Sequence, residues 1–325
     1  MILDSREQKR RLLLRLKGVE SGRVLIGPSV VNVHLTDLCN LACQYCWYYG
    51  PGTPHQPTKK KHMPYELFEK LAADCADLQV DTIFLSGEGE PTLHPRFWDM
   101  LPHLEKTFTV NIYSNGTFPL ARCRDILRAD RIVINFGEAD RESYRKLQGK
   151  DLFMRVIRNI RELAKLRAKY NPTFIIHVLF IMTRLNAEHY LKTETLVKKL
   201  GADMVEKRVL EVYEHSRHLM LPGQGVKNGT SGEWPPCYHG WFNSAISLNG
   251  DVNVCCALKR LTLGNIGTTS FTDIWRSDAY AQARVSALTG GDPFRNYQEC
   301  MKCPLTKRNK EIDAQMDMYN RVQQA

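Results

Sequence analysis

Residues 39–46 read CNLACQYC, and this stretch decides how the rest of the chain is interpreted. Thiolates at the first, fifth and eighth positions of a short loop can bind three irons of a four-iron cluster and leave the fourth iron open to another ligand. Zinc is the alternative, although a structural zinc site normally takes four ligands with paired short spacings. The nearest extra candidates, His34 and His55, are awkwardly placed for that role.

Around this loop, short β-rich runs alternate with amphipathic helical patterns, which is typical of a parallel sheet with crossover helices. We expect strands at residues 30–35, 82–86, 109–113, 131–136, 173–182 and 204–209. We expect the intervening helices at residues 64–78, 95–106, 119–129, 151–170 and 187–200. The predicted fold class is α/β, a partial (β/α)6 TIM-like barrel followed by a small extension made of a β-hairpin and a helix.

Polar residues interrupt strands that would otherwise be continuously apolar, as buried parallel strands usually are. Because side chains alternate along a strand, the polar members are expected to converge on the barrel interior and line a substrate chamber. The other interpretation is a strand shifted by one residue, or an edge strand with a wet face. The polar residues concerned are Asn32, His34, Asn111, Tyr113, Asn135, Glu206 and Arg208.

The composition fits a globular protein, with 43% hydrophobic and 25% charged residues over 325 positions. Its longest apolar stretch, residues 174–182, is too short to cross a bilayer, and the basic N-terminus lacks the features of a secretory signal. We therefore expect no membrane span and a cytoplasmic location. The net charge of +10 favours an anionic partner, although solvated surface also explains the basic runs. No nucleic-acid-binding motif is present, so nucleic acid is not an expected partner.

The predicted domain organisation has four parts. A basic helical extension covers residues 1–28, the partial barrel 29–220, a linker rich in Gly, Pro and charge 221–236, and a last unit 237–325. In the last unit, Asn249-Gly250 is a strong hairpin signal, and residues 271–288 have the pattern of one helix. So small a unit has little core of its own, and metal cross-linking is a plausible compensation.

A second set of cysteines lies in this last unit: Cys237, Cys255, Cys300 and Cys303, with Cys256 as the alternative to its neighbour. Four cysteines that include one CxxC pair also match a zinc-ribbon layout, so zinc stays open on the residues alone.

Three segments in order along the chain resemble the radical S-adenosylmethionine (radical SAM) enzymes: CNLACQYC at 39–46, GEGEP at 87–91 and SNG at 114–116. The resemblance implies that Cys39, Cys43 and Cys46 hold a [4Fe-4S] cluster with an open iron, and that SAM chelates this iron. It also implies that Tyr45 lies against the adenine of SAM.

The same resemblance assigns further SAM contacts. The segment Gly87, Glu88, Gly89 and Glu90 is expected to receive the SAM amine, with the glycines allowing close approach. Ser114 and Asn115 are expected near the ribose or carboxylate, and Asn135 near the ribose. Glu88 departs from the family pattern, which often has a second Gly there, and so leaves the amine contacts undetermined.

The C-terminal cysteines resemble the twitch or shortened SPASM extension of some radical SAM enzymes. This implies one auxiliary [4Fe-4S] cluster held by Cys237, Cys255, Cys300 and Cys303. The whole arrangement is similar to the aminocyclitol dehydrogenases and the sulfatase-maturating enzymes.

This resemblance implies a two-electron oxidation of a small hydroxylated substrate, and the positive charge of the chain favours an anionic one. Reduction of the first cluster implies a flavodoxin- or ferredoxin-type electron donor. The candidates for the base that takes the alcohol proton are Glu206, Arg208, His177 and Tyr113. Alternatives are a redox-neutral radical reaction (epimerisation, decarboxylation or elimination), peptide modification, or a zinc-stabilised binding module with a decayed barrel.

Overall fold

The computed structural model describes residues 5–53, 61–210, 214–222, 234, 236–255, 261–292, 294, 300 and 306–324. The chain forms two compact units, each built from separate stretches of sequence. The first unit contains Met1–Val33, Met63–Ile83 and Lys227–Ala325, and the second contains His34–His62 and Phe84–Val226. The predicted domains were continuous segments of the chain, whereas each of these units combines separate segments. The predicted boundaries at 28, 220 and 236 stay predictions.

Strands and helices alternate along most of the chain. The strands are β1 (Val30–His34), β2 (Thr82–Ser86), β3 (Thr109–Ser114), β4 (Arg131–Asn135), β5 (Ile175–Met182), β6 (Met204–Val209), β7 (Asn243–Ile246), β8 (Asp251–Asn253) and β9 (Thr262–Asn265). The helices are α1 (Ser5–Ser21), α2 (Tyr65–Asp77), α3 (Phe97–Leu104), α4 (Cys123–Ile126), α5 (Arg141–Gln148), α6 (Phe153–Tyr170), α7 (Tyr190–Lys199), α8 (His239–Phe242), α9 (Phe271–Arg276), α10 (Asp278–Thr289) and α11 (Thr306–Gln324). All six predicted barrel strands are present, with ends within two residues of the expected ones.

In the second unit, strands β3 to β6 pair in parallel and in chain order, with helices between them. Buried side chains alternate with half-buried ones along β3, whereas consecutive side chains are buried in β4 and β5, as in strands covered on both faces. Ile112, Ile134 and Val178 share one face of the sheet and are all fully buried. Strand β6 forms an open edge of the sheet. An open parallel α/β sheet of this kind confirms the predicted partial (β/α)6 barrel.

In the first unit, β7 pairs in parallel with β1, and β8 and β9 continue in antiparallel order. The Asn249-Gly250 hairpin is confirmed, and Gly250 has a φ of +90°, which a residue with a side chain rarely adopts. The single helix expected over 271–288 is wrong. Ser277 interrupts it with extended backbone, and its hydroxyl accepts a hydrogen bond from the Tyr280 N–H at 3.2 Å to start α10. Strand β9 and helices α5, α8 and α11 were not expected.

Two of the basic residues of the N-terminal helix α1 form ion pairs within the first unit. Arg11 and Arg15 both bind Asp81, with N–O distances of 3.0 and 2.6 Å. Arg15 is buried and also donates to the carbonyl of Gly27. These two arginines therefore hold α1 in place. Among the described residues, no helix is both long and apolar enough to cross a membrane.

Candidate active site

The cysteine loop 39–46 follows β1 and lies on the last turn of α5. The N–H of Ala42 donates to the Gln148 carbonyl at 3.1 Å, and the N–H of Gln44 donates to the Leu147 carbonyl at 2.9 Å. Directly after this turn, Gly149 has a φ of +76°, and a Cβ there would lie 2.4 Å from the Ala42 carbonyl oxygen. A glycine is thus required where the helix ends against the loop.

The three thiols of the loop are partly buried, and each has a polar neighbour. The N–H groups of Leu41 and Tyr49 point at the sulfurs of Cys39 and Cys46, at 3.5 and 3.3 Å. The thiol of Cys43 donates to Gln148 Oε1 at 2.6 Å. Hydrogen bonds to sulfur tune the potential of an iron–sulfur cluster, so the N–H donors at Cys39 and Cys46 are relevant to the cluster chemistry expected here.

Burial raises the pKa of Cys39 to about 11. Burial also raises the pKa of Cys43 well above its usual range, and charge repulsion from Cys46 and Cys39 adds to that shift. The three sulfurs therefore lie within electrostatic reach of one another, in a loop that favours the neutral thiols. A bound metal centre reverses this preference, because a coordinating thiol is deprotonated outright.

The donor set fits a four-iron cluster. Within the described ranges, no group of three or more His, Cys, Asp or Glu side chains is close enough together to hold a single metal ion. In a four-iron cluster each thiolate binds a different iron. Three neighbouring soft donors on one loop match that requirement, as the chemistry of the CxxxCxxC spacing predicts.

A hydrogen-bonded group behind the loop joins Tyr45, Asn135 and Gln148. The Tyr45 hydroxyl accepts from Asn135 Nδ2 at 3.0 Å and from Gln148 Nε2 at 3.1 Å. Gln148 therefore contacts both Tyr45 and Cys43 while being 1% exposed. Tyr45 and Asn135 had been expected to contact the adenine and ribose of SAM, and the structure brings the two side chains together. Gln148 was missed because nothing in the sequence indicates that α5 packs against the cysteine loop.

Glu90, which is 2% exposed, connects the loops that follow β2 and β3. Its Oε2 accepts from the Asn115 N–H at 2.7 Å, and its Oε1 accepts from the hydroxyls of Ser114 and Thr92 at 2.8 and 2.7 Å. Burial raises the pKa of Glu90, and these hydrogen bonds oppose the rise. Glu90 thus fixes the position of the predicted SAM segment Ser114-Asn115.

The glycines of the GEGEP segment pack against the main chain that leads into the cysteine loop. A Cβ on Gly87 would lie 2.6 Å from the Thr36 carbonyl oxygen, and one on Gly89 would lie 2.1 Å from that of Leu38. The N–H of Gly89 donates to the Thr36 carbonyl at 2.9 Å. Close approach of two backbones therefore explains both glycines, and their predicted contact with the SAM amine stays a prediction.

Glu88, the departure from the family pattern, forms a polar group of its own. Its Oε1 lies 3.0 Å from His34 Nδ1 and accepts from the Tyr48 hydroxyl at 3.2 Å. These contacts connect the end of β1 to the loop that follows Cys46.

Asn40 and Asn115 connect the cysteine loop to the loop after β3. Asn115 Nδ2 donates to Asn40 Oδ1 at 2.9 Å, and Asn40 Nδ2 donates to the Thr117 hydroxyl at 2.8 Å. Asn115 Oδ1 also accepts from the Thr117 N–H at 3.0 Å. Neither Asn40 nor Thr117 was among the predicted site residues, since nothing in the sequence indicates which loops meet.

The four candidate base residues lie on one face of the sheet. Register places Tyr113, Val133 and His177 side by side, and places Asn135, Leu179 and Glu206 in the row two residues further along. Arg208 pairs with Ile181 and follows on the same face. The period-two argument expected Tyr113, Glu206 and Arg208 on one face, and register adds His177 to this face, named here the inner face. Their role in catalysis stays a prediction.

The inner face carries a group of charges around His177, which is 5% exposed. Its Nε2 lies 3.2 Å from Glu206 Oε2, and Arg208 Nη2 lies 2.7 Å from Glu206 Oε1. Burial lowers the pKa of His177, Glu206 opposes the shift, and the charges of Arg131 and Arg208 add to it. His177 is therefore mainly neutral at pH 7. Arg131 was missed as a site residue, although its place in β4 is on the same face.

Three of the four predicted auxiliary-cluster ligands lie within the described residues, and all three are partly buried: Cys237, Cys255 and Cys300. Cys303 and the alternative ligand Cys256 lie outside the described residues. The N–H of Cys237 donates to the Ala287 carbonyl at 3.1 Å, and burial raises the pKa of its thiol. Hydrogen bonds from the His239 backbone and the Asn309 side chain oppose that rise.

A glutamine at position 90 should weaken SAM binding. An amide has one oxygen in place of two, so Glu90→Gln leaves either the Asn115 N–H or the two hydroxyls without an acceptor. A hydrogen bond to a charged group contributes about 1.5–3 kcal/mol, which corresponds to roughly a tenfold or greater rise in the SAM dissociation constant. This dissociation constant is measured by equilibrium binding of SAM to the reconstituted protein. Glu66→Gln, at an exposed position of α2, is the control. Unchanged affinity in Glu90→Gln would remove this residue from the site.

Comparison with known proteins supports the site. The profile of the radical SAM superfamily matches residues 33–197, and that of the SPASM iron–sulfur cluster-binding domain matches residues 237–304. The serine-type anaerobic sulfatase-maturating enzyme of Bacteroides thetaiotaomicron is 24% identical over 225 residues, which cover 63% of this chain and 52% of that enzyme. A probable GTP 3′,8-cyclase of Methanosarcina mazei is 31% identical over 130 residues, 39% of this chain and 38% of the cyclase.

Among solved structures, SuiB of Streptococcus suis bound to S-adenosylmethionine superposes with a TM-score of 0.65 at 15% sequence identity. The superposition covers 86% of this chain and 72% of SuiB, and at that identity it shows a shared fold. The chain spans 38% and 52% of the length of the two curated relatives named above. With just over half of its residues matched by the superfamily profile and a cysteine loop that fits a four-iron cluster, the chain belongs to the radical SAM superfamily and carries a SPASM iron–sulfur domain.

Proposed function

We propose that this chain is a radical SAM oxidoreductase that removes two electrons from a small, hydroxylated, anionic substrate. The observation that carries the proposal is the inner face of the sheet in the second unit. On this face, the neutral side chain of His177 lies among the charged groups of Arg131, Glu206 and Arg208. These four residues belong to β4, β5 and β6, the strands that come after the predicted SAM segment Ser114-Asn115 in the chain.

The bound cofactors supply the reactive chemistry. A reduced four-iron cluster and SAM provide a 5′-deoxyadenosyl radical, and an auxiliary four-iron cluster provides an acceptor for one electron. Cys39, Cys43 and Cys46 would hold the first cluster. The auxiliary cluster would be held by Cys237, Cys255, Cys300 and Cys303.

The side chains of the inner face would bind the substrate and move its proton. Arg131 and Arg208 attract an anionic group, and His177, held neutral by its surroundings, can accept the hydroxyl proton. Glu206, with Oε2 3.2 Å from His177 Nε2, would stabilise the imidazole once it is protonated. Tyr113, in the row that contains His177, lines the same surface. Loss of a hydrogen atom from carbon, a proton from the hydroxyl and one electron leaves a carbonyl.

A redox-neutral radical reaction is the second candidate function, favoured by the similarity to a probable cyclase. Modification of a peptide is the third, because the fold is shared with SuiB, which is also known in a structure bound to the precursor peptide SuiA. Hydroxy acids and sugar phosphates deuterated at the carbinol carbon test the choice. Under strictly anaerobic conditions, deuterium in 5′-deoxyadenosine identifies the hydrogen-atom donor. A carbonyl product formed without added oxidant supports oxidation, whereas an isomer or a decarboxylated product rejects it.

Replacing Cys300 by alanine should separate SAM cleavage from turnover. We expect the variant to form 5′-deoxyadenosine with dithionite as reductant, and to give carbonyl product at less than about a tenth of the wild-type yield, because the second electron lacks its acceptor. Cys300→Ser, together with thermal melting, controls for misfolding. Full product yield from a well-folded Cys300 variant would contradict the electron-acceptor role.

A further inference from the structure

The second unit carries a group of exposed cations directly behind the cysteine loop. They lie on α5, on the turn after it and on the first half of α6, and all are solvent-exposed. Within the described part of the chain, none of them comes within 4 Å of a carboxylate oxygen. The group, named here the α5–α6 cationic face, consists of Arg145, Lys150, Arg155 and Arg158.

The acidic groups nearby are already paired with other cations. Glu142 binds Lys146 at 3.0 Å, and Asp151 binds Arg141 at 2.6 Å. Arg145 lies near both carboxylates and lowers the pKa of each without forming an ion pair. The face therefore keeps a net positive charge that its own residues do not neutralise.

The main chain connects this face to the cysteine loop. Gly149 lies between Arg145 and Lys150 in sequence and is exposed to solvent, while the position of its missing Cβ is 2.4 Å from the Ala42 carbonyl oxygen. Ala42 immediately precedes Cys43, and its N–H donates to the Gln148 carbonyl. At Gly149, a single thickness of main chain thus separates solvent from the loop that would hold the first cluster.

The geometry points to the α5–α6 cationic face as the docking surface for a small acidic protein that carries one electron to the first cluster. This inference rests on the proposed function, because only a cluster held by the cysteine loop needs an electron from outside. Carrier encounters of this kind use small interfaces, and opposite charges steer them and fix their orientation. The charge of the face and its place behind the loop meet both requirements.

The test compares two triple variants with equal loss of charge. R145Q/K150Q/R158Q removes most of the face and keeps Arg155, which contacts the Thr117 carbonyl at 3.5 Å. R161Q/K165Q/K169Q removes three cations from the far half of α6 as the control. SAM cleavage is measured with dithionite and, separately, with increasing concentrations of reduced flavodoxin, an acidic carrier, at low and at 0.3 M salt.

We expect the face variant to need about tenfold more flavodoxin for half-maximal rate at low salt, and to match the wild type with dithionite. The difference should shrink in 0.3 M salt, where charges are screened within a few ångströms. Flavodoxin affinity of the cluster-free proteins, measured by calorimetry at low salt, should fall in the same way. If the face variant keeps wild-type dependence on flavodoxin and wild-type affinity, or if the control loses as much, the docking surface is wrong. If dithionite gives no 5′-deoxyadenosine with any protein, the proposed function fails, and calorimetry still decides the docking.

Discussion

Cys43→Ala is expected to abolish 5′-deoxyadenosine formation, even with excess dithionite. Cys43 is the central thiol of the loop, and its removal leaves two protein ligands for a cluster that needs three. The substitution also removes the contact with Gln148 Oε1, which links the loop to α5. Iron content should fall from about eight per chain, the value for two four-iron clusters, toward about four. Iron and sulfide analysis with anaerobic product assays measures both effects.

Cys75→Ala is the matched control for this prediction. Cys75 is fully buried in α2, away from either cysteine set in sequence, and its thiol behaves as a small apolar group. This variant should keep about eight irons and the wild-type rate of SAM cleavage. Cleavage at that rate by Cys43→Ala, or an unchanged iron content, would overturn the assignment of the cysteine loop.

Arg284→Ala should destabilise the first unit by about 3–5 kcal/mol, the range for loss of a buried hydrogen-bond network. Arg284 is 1% exposed, and its guanidinium carbon lies 4.1 Å from the ring centroids of both Trp275 and Tyr280. Its Nε and Nη2 donate to the carbonyls of Gly240 and Trp275, each at 2.7 Å. Burial lowers its pKa to about 10, so it stays charged at neutral pH and relies on these partners.

Urea unfolding followed by tryptophan fluorescence measures the effect, because the ring centroids of Trp275 and Trp241 lie 4.1 and 5.5 Å from the Arg284 guanidinium carbon. Arg276→Ala, on the exposed side of α9, is the control and should change stability by less than about 0.5 kcal/mol. Arg284→Lys should be intermediate, since it restores the charge but not the planar fork that reaches two carbonyls. Equal stability of Arg284→Ala and Arg276→Ala would show that the buried guanidinium contributes nothing to this unit.

Site residues could be predicted where their partners are close in sequence, and could not be predicted where the partners are far apart in sequence. Cys39, Cys43 and Cys46 were visible because the ligand geometry is set within eight residues of one loop. Gln148 lies 105 positions from Cys43, so no local pattern could indicate that these two side chains meet. The glycines at 87 and 89 were singled out for contact with SAM, which stays a prediction, and the structure shows that both pack against the Thr36–Leu38 backbone.

The sequence by itself determined the alternation of strands and helices, the turn at Asn249-Gly250 and the cysteine spacings, because each depends on near neighbours in the chain. Only the tertiary structure decided that Glu90 holds Ser114 and Asn115. It alone likewise decided that Arg131 joins His177 on one face, and that Arg284 is enclosed by aromatic rings. Burial and hydrogen-bond partners in these cases come from segments distant in sequence, and no local pattern encodes which segments will meet.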